Sequence, residues 1–300
     1  MCRLFGLHHG HRVTATFWLL DSADSLAAQS RRNPQGAGIG SFDGTGRPVV
    51  DKQPIAAWQD AEFARQARVD RSRTFVAHVR YASHGGLSTV NTHPFVMDGR
   101  IFAHNGTLGD LSRLDAELDR RGVRDLVAGD TDSERLFALI ASEIRSGDGD
   151  VGSAITRAVQ WVADQVPVFA VNIVLAGPDD LWALRYPDTH DLYLLRPAAT
   201  HAGRPLHVRS RRIRMHADHP GDRHTAGDPA PAVVASEPMD GEPGWRLLEP
   251  GELVHARGHG GDLTVESHVA LTRAPRHPLT LADLSPEAAA SQTTAAEQSG

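Results

Sequence analysis

The sequence predicts an α+β fold in which the strands pair antiparallel. Three observations lead there. Short apolar runs of strand length recur along most of the chain, with about five helix-period segments among them. Strands and helices do not alternate strictly, which argues against a doubly wound parallel sheet. An Asp43-Gly44 turn also sits between two apolar runs, a strong local hairpin cue.

In chain order, RLFGLH (3–8) reads as a strand and ADSLAAQS (23–30) as a short helix. Gly36, Gly38 and Gly40 lead into the hairpin IGSF, Asp43-Gly44-Thr45-Gly46, PVVDKQ. No βαβ unit follows these glycines, so they do not read as a nucleotide loop. Residues 60–69 form a helix with Asp60 as N-cap. TFVAHVRY (74–81) is a continuous apolar strand, and RIFAH (100–104) repeats that character. His104-Asn105-Gly106 reads as the turn after it, and 109–121 as a surface helix. Thr131-Asp132-Ser133-Glu134 fits a capping box and opens a helix with an apolar stripe at Leu136, Phe137, Leu139, Ile140 and Ile144. Another helix begins near Ser153, with Ile155, Val159, Val162 and Val166 on one face. VNIVLAGPDDLWALRY (171–186) is strand, turn, strand. Residues 197–231, rich in His, Arg, Pro and Gly, read as an irregular excursion. Order resumes at 232–238, 245–258 and 263–269. One domain over 1–272 is expected, followed by a polar, disordered tail over 273–300.

Hydrophobic residues at 40% and charged residues at 23% are ordinary for a globular chain. A net charge of -6 argues against a nucleic-acid footprint. No stretch approaches the ~20 apolar residues that span a bilayer, and the start lacks the pattern of a secretion signal. A cytoplasmic location is expected. The 17 histidines include the groups His8, His9, His11 and His216, His219, His224. Neither group has the carboxylates or cysteines of a known zinc motif, so no metal and no cofactor is expected.

The residues that could carry chemistry are few. Cys2 is the only cysteine, and Met1 alone precedes it. An aminopeptidase can strip methionine ahead of a residue this small. One residue would then hold an α-amine titrating near ~8 beside a thiol near ~8.5, an amine-assisted nucleophile like an N-terminal threonine. The plain alternative is a cysteine that starts a buried strand. Asn105 and Gly106 offer a side-chain amide and a backbone N–H, a donor pair for an oxyanion; an Asn-Gly turn reads the same way. Arg80 ends an apolar strand, where its charge needs a partner: a substrate carboxylate held by the guanidinium fork, or an acid of the chain itself. Asp132 could hold a substrate ammonium or simply complement the helix dipole. The polar stretch 82–93 with Gly85-Gly86 reads as a lid or an inert connection.

Together these pieces resemble the class II, N-terminal-nucleophile glutamine amidotransferases. The matching blocks are Met1-Cys2-Arg3-Leu4-Phe5-Gly6, His78-Val79-Arg80-Tyr81-Ala82-Ser83-His84-Gly85, Asn91-Thr92-His93-Pro94-Phe95, Phe102-Ala103-His104-Asn105-Gly106 and Thr131-Asp132-Ser133-Glu134. Many relatives have Trp at the position of Tyr81 and Thr at that of Ser83. The resemblance implies an Ntn-hydrolase-like, four-layer α/β/β/α sandwich of two antiparallel sheets. It also implies roles: Cys2 as nucleophile, Asn105 and Gly106 as oxyanion hole, Arg80 on the α-carboxylate and Asp132 on the α-ammonium. Tyr81, His93 and the 82–93 loop would enclose the substrate.

The expected activity is hydrolysis of the side-chain amide of glutamine, or of another γ-glutamyl compound, through a Cys2 thioester. Asn33-Pro34-Gln35-Gly36-Ala37-Gly38-Ile39-Gly40 and Val234-Ala235-Ser236-Glu237-Pro238 look closest to the stand-alone members, which lack a synthase domain. The expected partners are that small molecule and a separate ammonia-accepting enzyme. The rival reading is a non-catalytic γ-glutamyl-binding module, or a subunit that delivers ammonia to a separate synthase.

Overall fold

The computed structural model describes residues 2–81, 86–196, 230–258, 260–286 and 288–289. In chain order the strands begin with β1 (Arg3–Val13), and α1 (Leu26–Gln29) precedes β2 (Ala37–Phe42) and β3 (Pro48–Gln53). Next come α2 (Ala61–Val69), β4 (Ser72–Val79), β5 (Phe95–Met97) and β6 (Arg100–Leu108). Helices α3 (Leu111–Arg121), α4 (Asp132–Ser146) and α5 (Val151–Gln165) lead to β7 (Val168–Ala176) and β8 (Asp180–Leu184). The chain continues through β9 (Tyr193–Leu195), β10 (Ala232–Ala235), β11 (Trp245–Leu247), β12 (Glu252–Arg257) and β13 (Thr264–Val269).

All named strand pairs are antiparallel. One sheet runs β11-β9-β10-β1-β4-β2-β3 and the other β13-β12-β8-β7-β6-β5. Period-two alternation sorts the side chains into three cores. On β4, Phe75, Ala77 and Val79 face α1 and α2, with Phe5 and Leu7 of β1 beside them. Val76 of β4 and Leu4 of β1 point the other way, to meet Ile101, Ala103 and Val174 of the second sheet. Phe102, Val171, Ile173 and Leu175 line that sheet's outer face under α3, α4 and α5. Three cores separate four layers, α/β/β/α, and each buried large side chain contributes about 1.5–3 kcal/mol.

Asp60 caps α2 through the N–H groups of Glu62 and Phe63. Thr131 caps α4 at the Glu134 N–H, but the reciprocal half of the expected capping box is replaced: the Glu134 carboxylate accepts from Gly129, 2.7 Å away. His104-Asn105-Gly106 is not a turn. Strand β6 continues to Leu108 because Asn105 pairs with Asn172, Gly106 with Val171 and Thr107 with Ala170. Cross-strand pairing overrides the local turn preference of Asn-Gly. The stretch 245–258 divides at Pro250-Gly251, with β11 in one sheet and β12 in the other.

The expected excursion at 197–231 lies, as far as residue 229, outside the described residues, as do 290–300 of the expected tail. Residues 276–279 are ordered against the edge of β7. Arg276 N–H donates to Ala163, Val168 N–H to His277, and Leu279 N–H to Val168. Among the described residues no helix is long and apolar enough to cross a membrane.

Candidate active site

Cys2 lies at the mouth between the sheets, one residue ahead of β1. Its thiol donates to the Tyr81 carbonyl at 3.3 Å, and the Tyr81 N–H lies 3.2 Å from the sulfur. Both contacts use the main chain of Tyr81, so neither needs a particular ring there. Burial pushes the Cys2 thiol up. The Tyr81 N–H and the positive charges of the chain terminus, Arg80 and Arg3 pull it back.

Asn105 donates its amide N–H to the Cys2 carbonyl at 3.0 Å. The side chain reaches there because Asn105, like Ile101 and Ala103, points into the space between the sheets. Gly106 faces the helices. A Cβ there would fall 1.9 Å from the Ala170 oxygen and 2.5 Å from the His104 Nε2, so only glycine lets β6 approach β7 this closely. The Val171 N–H opposite is given to Tyr186 on the β8 side. In an antiparallel pair, both groups of Gly106 then point away from β7. That is the edge of β6 which β5 covers only at residues 100–102.

Arg80 is buried, and its guanidinium donates to the Gly86 carbonyl at 3.3 Å. Its main chain is clamped to Gln35 and Gly36. Burial lowers its pKa, and the charges of Cys2 and Asp132 raise it again, which places all three groups in one field. The Asp132 carboxylate accepts from the Leu108 N–H at 2.9 Å and the Ser133 N–H at 2.8 Å. It therefore joins the end of β6 to the start of α4.

Of the 82–93 stretch, residues 82–85 lie outside the described residues, including His84 and Gly85. Asn91 ties the remainder of the loop to the residues just ahead of α4: its amide donates to Gly86 and Asp130, and its oxygen accepts from the Asp130 N–H. His93 sits deeper than a lid residue. Its ring lies tilted against His78, with centroids 4.2 Å apart, and edges onto Phe95 at 4.6 Å. Burial holds His78 neutral, down to about 3, and lowers His93 as well. Gly38 makes room for this pair, since a Cβ would lie 2.4 Å from the His93 carbonyl. The Val234–Pro238 segment fastens β1: Ser236 accepts from Leu4, and Glu237 pairs with Arg3 at 2.8 Å.

Strand β1 separates the histidines weighed as metal ligands. His8 lies on the inter-sheet side bonded to Thr74, while His9, next in the strand, turns the other way and accepts from the His11 N–H. His216, His219 and His224 lie outside the described residues.

A sulfur, a guanidinium, an amide and a carboxylate thus converge at one end of the sandwich. The sequence pattern of the family described as glutamine amidotransferases class-II matches residues 1–278. The chain belongs to the class-II glutamine amidotransferases. An uncharacterized protein of Methanocaldococcus jannaschii is 30% identical over 262 residues, covering 85% of this chain and 68% of its own length. Escherichia coli YafJ, which carries a provisional glutamine amidotransferase name, is 26% identical over 72% of this chain and 82% of its own. The solved structure of a glutamine aminotransferase class-II domain protein from Silicibacter pomeroyi shares the fold. Its TM-score is 0.58 at 20% identity, over 90% of this chain and all of that one.

Sequence reasoning passed over three residues close to this candidate site. His78 lies within a matched block, but nothing in the sequence signals that it lies against His93. Lys52 had a visible signal, being the only lysine among 31 basic residues. Its ammonium lies 4.6 Å from the centre of the Phe95 ring, and burial lowers it to about 8, partly offset by Glu134. His190 left no signal, because its neighbours in space are Phe169 and Asn172 of β7 and Arg185, just after β8.

Proposed function

We propose that this class-II amidotransferase hydrolyses the side-chain amide of glutamine, or of a larger γ-glutamyl amide, with Cys2 as nucleophile. The observation that carries the reading is the Asn105 amide set on the Cys2 carbonyl, with the thiol against Tyr81, the residue after Arg80. Removal of Met1 frees the Cys2 nitrogen. The amine takes the thiol proton, and the sulfur attacks the substrate Cδ. The tetrahedral oxyanion is held by the Asn105 amide and the Gly106 N–H. The C–N bond breaks as the amine returns the proton to the leaving nitrogen, releasing ammonia or an amine. Water, deprotonated by the same amine, cleaves the γ-glutamyl thioester and restores the thiol.

Arg80 fits the α-carboxylate through its fork, and Asp132 fits the α-ammonium. His93 and the ordered part of the loop after Arg80 would close over the substrate, with Tyr81 beside them. A separate enzyme could accept the ammonia. The test is glutamate release from glutamine by protein whose intact mass shows Met1 removed. The expected result is turnover that Cys2→Ala lowers by at least ~10²-fold. Unchanged turnover in that variant overturns the proposal, and binding of glutamine without turnover would make the protein a binding module.

A further inference from the structure

We infer that the imidazole of His190 and the Oδ1 of Asn105 form the acceptor site for the α-amino group that Cys2 acquires when Met1 is removed. The inference rests on the proposed role of Cys2 and adds a positioning residue to it.

Both acceptors are buried, Asn105 at 1% and His190 at 3% exposure. Asn105 Oδ1 and both ring nitrogens of His190 have no hydrogen-bond partner among the described residues. Buried polar atoms are almost always paired, so the Asn105 oxygen and the unprotonated ring nitrogen of the neutral His190 each call for a donor. Their location says which one. The other end of the Asn105 amide already rests on the Cys2 carbonyl, at 3.0 Å. Asn172 stands directly across the ladder from Asn105, its side chain on the same face. The Asn172 amide holds the carbonyls of His190 and Asp191 at 3.2 and 3.0 Å, and Arg185 Nε holds the His190 carbonyl at 2.8 Å. The backbone at 190 is therefore clamped beside the residue that touches Cys2. The ring packs edge-on to Phe169, with centroids 5.2 Å apart.

The chemistry agrees. With Met1 attached, the Cys2 nitrogen is an amide with one N–H. Processing makes it an amine, and after it takes the thiol proton it becomes an ammonium with three. One proton is returned to the leaving group, and the other two need acceptors. A neutral imidazole and an amide oxygen supply two, and they aim the amine's lone pair at the sulfur. His190 is neutral at any working pH. Burial first, then the charges of the chain terminus, His104, Arg3 and Arg185, hold it down to about 3. The other ionisable groups around this nitrogen are the Cys2 thiol itself and Arg80.

The experiment compares mature wild type, His190→Phe and His190→Gln, with Met1 removal checked by intact mass. The rate of Cys2 alkylation by iodoacetamide and kcat/KM for glutamine are followed against pH. Loss of an acceptor destabilises the ammonium and lowers the amine pKa. In His190→Phe the acid limb of the kcat/KM profile moves down by about 0.4–1 unit, the effect of one hydrogen bond of ordinary net strength, while alkylation, which reads the thiolate, does not move down with it. His190→Gln, which keeps an acceptor, stays near wild type. An unmoved kcat/KM limb in a folded His190→Phe, or the same shift in both variants, overturns the inference. Where His190→Phe does not fold, the 15N shifts of the His190 ring decide, compared between wild-type protein with and without Met1. A change on processing supports the inference, and identical shifts refute it. That comparison needs no turnover, so it stands even where wild type proves inactive toward glutamine and the activity proposal fails.

Discussion

Gly106→Ala puts a single methyl where β6 and β7 touch. The new Cβ would lie 1.9 Å from the Ala170 oxygen and 2.5 Å from the Ala170 carbonyl carbon. Both are backbone atoms, so no side chain can swing aside. Relief requires the two strands to separate by about 1 Å or more, and displacements of that size in a catalytic group cost about 10²-fold in rate. The adjacent Asn105 moves with them, and its 3.0 Å contact to the Cys2 carbonyl is broken. Overpacking of this kind costs about 1–3 kcal/mol of stability. At about 2–4 °C per kcal/mol for a domain of this size, Tm falls by roughly 2–12 °C. Glutamate release and thermal unfolding measure the two effects. Gly99→Ala is the control. Gly99 has φ 72° with nothing within 4 Å, so the variant loses about 1–2 kcal/mol to backbone strain and keeps its activity. A Gly106→Ala protein with wild-type Tm and rate would refute the close-approach reasoning.

Other outcomes rest on the same geometry. Arg80→Lys keeps the charge and loses the planar fork, so KM for glutamine rises by about ten-fold or more with a smaller change in kcat, read from initial-rate kinetics. Three buried histidines have lowered pKa values, His8 to about 4 and His78 and His190 to about 3. The unfolded chain binds protons at these sites below about 6.5 while the folded chain does not. Their contribution is therefore complete above that pH, shrinks as pH falls and is exhausted near 3; Tm measured from pH 8 to 4 should drop steeply below 6.5, and a flat profile would contradict their burial. Lys52→Met removes an ammonium whose burial is unfavourable at pH 7, so Tm stays level or rises in a melting curve; a fall would show that the lone lysine stabilises the fold.

Much of this site was legible because its parts are local in sequence. Cys2 stands at the start of the chain, and the segments carrying Arg80, Asn105-Gly106 and Asp132 have recognisable character of their own. The strand and helix pattern likewise comes from periodicity, down to Asp60 and Thr131 as caps. What escaped depends on contacts distant in sequence. Asn105-Gly106 carries a turn signature, and only the ladder with β7 shows it to be strand. One Asp132 oxygen accepts from the Leu108 N–H at the end of β6, 24 positions away along the chain. His190 lies among polar loop residues, and its meaning depends on Asn172 standing opposite Asn105. Lys52 could have been noticed by counting, but its place over Phe95 required the two edge strands β3 and β5 to meet.

The most direct test of the central claim is mass spectrometry of protein mixed with glutamine and quenched in acid during turnover. With Cys2 as nucleophile, Met1 is absent and a γ-glutamyl adduct sits on the peptide beginning at Cys2. Turnover by protein that retains Met1, with no adduct at Cys2, would contradict that claim.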